Sequence, residues 1–144
     1  MRVSISTAVI WAFIVLLIAI NIISFVSGQS YIAVVSGSSM EPILSTGDVV
    51  FISPVRSPSE IGLGDVIVYK SQGGRYIIHR VINIISIGGK TYFITKGDNN
   101  PIPDTFGYGY PGVPFENIVG KVVSISGGVV KIPYIGIISL LRGS

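Results

Sequence analysis

The chain has 144 residues, room for one small domain with its own core and too few for two. Hydrophobic residues make up 49% and charged residues 12%, against about 25% charged in an ordinary soluble domain, so part of the chain is expected to meet lipid. The net charge of +3 comes from scattered basic residues without a run or stripe, which speaks against nucleic acid as a partner. The lack of cysteine excludes disulfides, thiolate catalysis and Cys-type zinc sites, and a single histidine excludes a multi-histidine metal centre.

Residues 3–26 carry no charge, and 8–20 are wholly apolar. About 20 such residues, rising about 1.5 Å each, cross a hydrocarbon core of about 30 Å. This predicts one N-terminal transmembrane helix, with residues 1–28 as a membrane anchor. The rival reading is a cleavable secretory signal, with Arg2 at its basic start and small residues between Ser24 and Gly28 near a cut. The apolar core is at the long end for such a signal. Either reading carries residues 29–144 across the membrane, to the extracytoplasmic or lumenal side.

After Gln29 the pattern changes to short runs rich in Val, Ile and Tyr, punctuated by Gly and Pro. Strands are predicted over 31–35, 48–52, 65–70, 75–87, 90–96, 118–126 and 129–132. Gly88-Gly89 and Gly127-Gly128 are read as two-residue hairpin turns, and 71–74 as a longer one. The expected fold is all-β, a small antiparallel domain curled into a partly closed β-barrel, preceded by the helix. Two proline-containing stretches, 54–64 and 99–116, resist strand assignment, and long ordered loops are often functional. Phe106, Tyr108, Tyr110 and Phe115 in the second stretch suit either a core or a membrane interface, the core reading being favoured. The apolar tail 132–141 is too short to span a bilayer.

Three kinds of side chain could do chemistry. Ser36-Gly37-Ser38-Ser39-Met40-Glu41-Pro42 follows the strand 31–35, where a turn would expose a nucleophilic hydroxyl and aim backbone N–H groups at a developing oxyanion. By itself the segment reads first as an ordinary polar loop. His79, among Ile77, Ile78 and Val81, reads first as a packed side chain; yet histidine, with an ordinary pKa of about 6.5, is also the commonest general base. Asp98 and Asp104 follow the strand 90–96, where acidic residues also serve turns. Asp48 and Asp65 read as turn or strand-edge residues.

The order of the motifs is more specific than any one of them. Ser38-Ser39-Met40-Glu41-Pro42, Gly47-Asp48-Val49-Val50, Gly64-Asp65-Val66-Ile67-Val68-Tyr69, His79-Arg80-Val81 and Lys96-Gly97-Asp98-Asn99-Asn100 resemble the boxes of signal peptidase I. They occur in that family's order and cover essentially the whole chain. The histidine before Arg80 resembles the endoplasmic-reticulum and archaeal type; the common bacterial enzymes have a lysine there. The resemblance implies a membrane-bound serine endopeptidase with Ser39 as nucleophile and His79 as general base. Of the two acidic positions it implies, Asp104 is preferred as the carboxylate that orients His79, and Asp98 as a residue that shapes the site. It also implies signal peptides of secretory preproteins and the lipid bilayer as partners, other peptidase-complex subunits as candidate partners, and no metal or organic cofactor. An archaeal or bacterial cell membrane is favoured over the endoplasmic reticulum. Many members have a serine where Gly37 stands, so a side-chain donor to the oxyanion is missing there. The Ser39 N–H would carry more of that stabilisation, with Ser38 a candidate helper. Self-cleaving repressors of the LexA type resemble the same core, but they use a lysine base and carry a DNA-binding domain. A membrane-tethered peptide-binding β module and an inactive accessory subunit are the remaining alternatives.

Overall fold

The structure, a computed structural model, describes residues 5–27, 32–104 and 111–137; in the N-terminal helix it describes the side chains of residues 8–20. The chain divides into two compact units, Met1–Ser30 and Tyr31–Ser144. The first is helix α1, Ile5–Ser27. Val9, Trp11, Phe13 and Val15 are all exposed on it. Among the described residues no helix is long and apolar enough to cross a membrane.

The second unit is antiparallel β structure: β1 Ile32–Val34, β2 Val49–Ser53, β3 Val66–Lys70, β4 Tyr76–Ile87, β5 Lys90–Lys96, β6 Val113–Pro114, β7 Ile118–Val122, β8 Ser124–Ile125, β9 Gly128–Val129 and β10 Lys131–Ile132. The main sheet runs β1-β2-β7-β3-β4-β5-β6, with β10 also on β2, while β8 and β9 form a separate hairpin. The expected curling into a partly closed barrel is not found. No pairing joins β1 to β6, so among the described residues the sheet stays open. Both end strands are short. β1 gives way to a turn at Gly37 (φ +98), and β6 ends at Pro114, which has no N–H with which to extend a ladder.

Turn chemistry sets the register. Gly88 and Gly89 both have positive φ, +58 and +77, the conformation of a two-residue hairpin turn whose twist matches its strands. Ile87 therefore opposes Lys90 and the ladder runs on to the Asn83–Ile94 pair; a bulge between Val81 and Asn83 then shifts it by one residue, so that Val81 pairs with Thr95 and Arg80 with Lys96. The second predicted turn lies one residue earlier than expected. Ser126 (φ +51) and Gly127 (φ +82) form it, and Gly128 already pairs with Ile125. The proline-containing stretch 99–116 holds an unpredicted strand, β6, paired to Tyr92 and Phe93 of β5. Phe115 packs against the core. Phe106, Tyr108, Tyr110 and residues 138–144 lie outside the described residues, while the tail before them bonds back through Gly136 N–H to the Gly47 carbonyl at 2.9 Å.

Side chains alternate across strands, and the alternation makes two cores. Val66 and Val68 of β3 join Val35, Met40, Leu44, Val50, Ile52 and Val122 on one face. Ile67 and Tyr69 join Ile61, Val81, Phe93 and Val113 on the other.

Asp48, read from the sequence as a turn or strand-edge residue, stands immediately before β2 and is fully buried. It accepts hydrogen bonds from Ser45 N–H (3.0 Å), Tyr134 N–H (3.2 Å) and Lys131 Nζ (2.6 Å). Burial pushes its carboxyl up, but Lys131 and the two N–H donors outweigh that and hold it below its ordinary value. A carboxylate lowered in the folded state adds stability that is complete above the unfolded pKa and is lost as pH falls through the folded one. Asp48→Asn is expected to cost about 1.5–3 kcal/mol at neutral pH, the worth of hydrogen bonds to a charged group. It should also flatten the loss of stability below about pH 4. Urea denaturation of the parent and variant across pH checks both.

Candidate active site

Ser39 is presented by the turn that follows β1. The β1–β2 pairing continues past the strands, from Val35 N–H to the Asp48 carbonyl (2.8 Å) and from Gly47 N–H to the Val35 carbonyl (2.9 Å). At Gly37 the chain swings away. Thr46 Oγ1 holds that bend, accepting from Gly37 N–H at 3.0 Å and donating to the Gly37 carbonyl at 3.1 Å. Met40 and Leu44, both buried in the first core cluster, pin the chain beyond the serine. Ser39 itself is half-buried.

The segment after β5 closes over this turn. Asn99 donates from its N–H to the Ser39 carbonyl (2.8 Å) and from Nδ2 to the Ser38 carbonyl (3.1 Å). A Cβ at Gly97 would lie 2.6 Å from the Ser39 carbonyl oxygen, so only glycine permits the approach. Asp98 takes a two-pronged ion pair from Arg80, Nε to Oδ1 at 2.8 Å and Nη2 to Oδ2 at 2.6 Å. The remaining Arg80 prong reaches the Gly64 carbonyl at 2.8 Å.

His79 stands in β4 opposite Ile67 of β3. Its Nε2 is 3.0 Å from Ser39 Oγ, and its Nδ1 is 2.5 Å from Asp104 Oδ2. The two side chains are only 9% and 15% exposed, so their interaction is poorly screened by water. Asp104 is fixed by its own N–H to the Thr95 carbonyl (2.8 Å). The same Oδ2 accepts from Thr95 Oγ1 (2.6 Å) and Tyr69 OH (3.0 Å). Burial pushes the Asp104 carboxyl up, but the hydrogen bonds from His79, Thr95 and Tyr69 outweigh it and hold the group below its ordinary value. Asp104 therefore stays ionised through the pH range in which a histidine can act as a base. Burial, together with the neighbouring Asp104 charge, raises the Tyr69 phenol, which stays a proton donor.

Ser39, His79 and Asp104 thus form one hydrogen-bonded line, while Asp98 lies apart from it on Arg80. A hydroxyl, an imidazole and a carboxylate so joined can pass the hydroxyl proton to the ring and hold the ring's other nitrogen in its protonated form. Among the described residues the Ser39 N–H donates no hydrogen bond, and the space beside Gly37 is open. Nor do three acidic or histidine side chains gather among them to hold a metal ion. The sequence reading passed over Tyr69 and Thr95. The signal was strand alternation: 67 and 69, 79 and 81, and 93 and 95 share one face, so two hydroxyls lie on an otherwise apolar surface beside His79.

Gly97→Ala would force the loop off the turn that carries Ser39. The expected cost is about 1–3 kcal/mol, typical of overpacking, with Ser39 displaced from His79. Thermal denaturation and a structure of the variant check it.

Comparison with known proteins relates the chain to peptidases. The Peptidase S24-like family model matches residues 18–107. A signal peptidase complex catalytic subunit from Sclerotinia sclerotiorum is 34% identical over 115 residues, covering 78% of this chain and 63% of that protein. One from Metarhizium robertsii is 33% identical with the same coverage. One from Canis lupus familiaris is 32% identical over 125 residues, covering 84% of this chain and 62% of the relative. The chain thus spans somewhat under two thirds of the length of these relatives. They come from fungi and dog, which runs against the expectation of an archaeal or bacterial cell membrane in preference to the endoplasmic reticulum. The histidine before Arg80 resembles the endoplasmic-reticulum and archaeal type as one, so that motif could not separate those two. Given a family match over more than half the chain, the motif order and the site it encloses, the chain belongs to the Peptidase S24-like family.

Proposed function

We propose that the protein is a membrane-bound serine endopeptidase that removes N-terminal signal peptides from exported preproteins. The observation that carries this reading is the line from Ser39 Oγ through His79 to Asp104, 3.0 Å and 2.5 Å long, in a chain similar to signal peptidase complex catalytic subunits.

In this reading the preprotein lies extended beside an open sheet edge. Main-chain hydrogen bonds supply affinity, and alternate side chains enter pockets. The resemblance to signal peptidases implies small residues at the first and third positions before the cut. His79 Nε2 accepts the Ser39 proton as Oγ attacks the carbonyl carbon. Asp104 holds the Nδ1 proton in place and stabilises the imidazolium that forms. The Ser39 N–H donates to the oxyanion. The peptide C–N bond then breaks, His79 returns the proton to the leaving amine, and the signal peptide stays on Ser39 as an ester. Water, deprotonated by His79, attacks the ester; the C–Oγ bond breaks, His79 returns that proton to Ser39 Oγ, and the signal peptide leaves as an acid that ionises to the carboxylate in water.

Residues 1–28 serve as the anchor and 29–144 as the catalytic domain. Two features support the anchor: α1 extends over Ile5–Ser27, and residues 3–26 contain no charge. An uncharged helix with apolar side chains all round suits lipid rather than one face of a soluble core. Partner subunits are proposed because the relatives are named as members of a complex.

The detergent-solubilised parent is expected to cut a secretory preprotein after a small residue, as mapped by mass spectrometry, and Ser39→Ala is expected to leave it intact. Equal cutting by both proteins would remove Ser39 from its role.

A further inference from the structure

Tyr69 and Thr95 are among the most deeply buried polar groups in the β unit, 2% and 1% exposed. They come from β3 and β5, the strands on either side of the one that carries His79. Both hydroxyls point at one atom, Asp104 Oδ2, the atom that also meets His79 Nδ1. Burying a hydroxyl costs free energy unless it finds a partner. Valine and phenylalanine would fill the same space among Val81, Phe93 and Ile67 without that cost. Packing alone therefore does not account for the hydroxyls. The backbone bond from Asp104 N–H to the Thr95 carbonyl fixes where the carboxylate is rooted, but it leaves the carboxylate free to rotate about its own side-chain torsions. Two donors arriving from opposite strands remove that freedom.

We propose that Tyr69 and Thr95 are positioning residues. Together they clamp the Asp104 carboxylate so that Oδ2 faces His79 Nδ1 and keeps the proton on that nitrogen, leaving Nε2 free to accept from Ser39. The inference rests on the peptidase reading for its effect on turnover, but the state of the ring can be read without turnover. The chain has one histidine, so a ¹⁵N-histidine label reports on this imidazole alone.

The experiment compares the full-length parent in detergent with Tyr69→Phe, Thr95→Val, the double variant and Thr95→Ser, each first checked for a cooperative thermal transition. Nitrogen NMR of the parent's neutral imidazole is expected to show a proton on Nδ1 and none on Nε2. The double variant is expected to drift toward the Nε2-protonated tautomer that a free imidazole favours. In preprotein cleavage, Tyr69→Phe and Thr95→Val are each expected to lower kcat about tenfold, the lower range for a hydrogen bond to a charged group. KM should change little, and Thr95→Ser, which keeps the hydroxyl, should restore most of the rate. An unchanged tautomer and unchanged kcat in a folded double variant would overturn the proposal, as would a loss in Thr95→Val that Thr95→Ser does not recover. If Thr95→Val fails to fold, Tyr69→Phe decides by the same two readouts. Ser39→Ala run alongside separates the two levels of the argument. Cutting by Ser39→Ala would remove the peptidase reading, whereas the tautomer result would still decide the clamp.

Discussion

A single carboxylate oxygen, Asp104 Oδ2, accepts from an imidazole, a phenol and a hydroxyl that belong to three adjacent strands. That convergence constrains the whole second unit. Tyr69, His79 and Thr95 reach the same point only if β3, β4 and β5 keep a register that puts them on one face. A slip of one residue would move a strand's side chains to the other face. Between β4 and β5 the positive-φ glycines of the turn at Gly88-Gly89 set the register as far as the Asn83–Ile94 pair, and a one-residue bulge between Val81 and Asn83 then shifts it so that Val81 meets Thr95. Between β3 and β4 it is set by the turn 71–74, where Ser71 N–H bonds the Arg75 carbonyl at 2.8 Å. The two turns and the bulge together thus decide whether the carboxylate has its donors.

The sequence made the strands around this point legible because their determinants are local. Gly-Gly between two β-branched runs has few alternatives, and β5 spans 90–96 as read. It misled where an ordinary residue took a conformation usually left to glycine. Ser126 adopts φ +51, so the second hairpin turns one residue early. It was also silent where pairing overrides composition. Pro114 looked like loop, yet Val113–Pro114 forms an edge strand on β5, a position at which a missing N–H costs little because among the described residues no further strand pairs beyond it. Barrel closure was not legible because it depends on whether the end strands are long enough to meet, which no local pattern encodes.

The residues of the candidate site divide the same way. Ser39, His79, Asp98 and Asp104 stand out as chemistry-bearing types in a resembling order. Tyr69 and Thr95 do not, since each is also a good strand former. Only the cross-strand register turns them from packing residues into donors. Asp48 is the converse case: a residue read as a turn proves to be a fully buried charge matched to Lys131, 83 positions away.

His79 and Arg80 are neighbours in β4 and therefore face opposite sides of the sheet. Each meets an acidic residue from one short segment, Asp104 for the histidine and Asp98 for the arginine. The segment is thereby tied down on both faces, and between the ties Asn99 grips the carbonyls of Ser38 and Ser39. The arrangement separates two tasks that one carboxylate could not perform together. The Arg80–Asp98 pair is a two-pronged contact whose geometry suits holding backbone in place. The Asp104 contact leaves the imidazole able to gain and lose a proton at its far nitrogen. Gly97 is where these demands meet. With no Cβ, it lets the chain pass against the Ser39 carbonyl, so Ser39, His79 and Asp104 are fixed to a common frame.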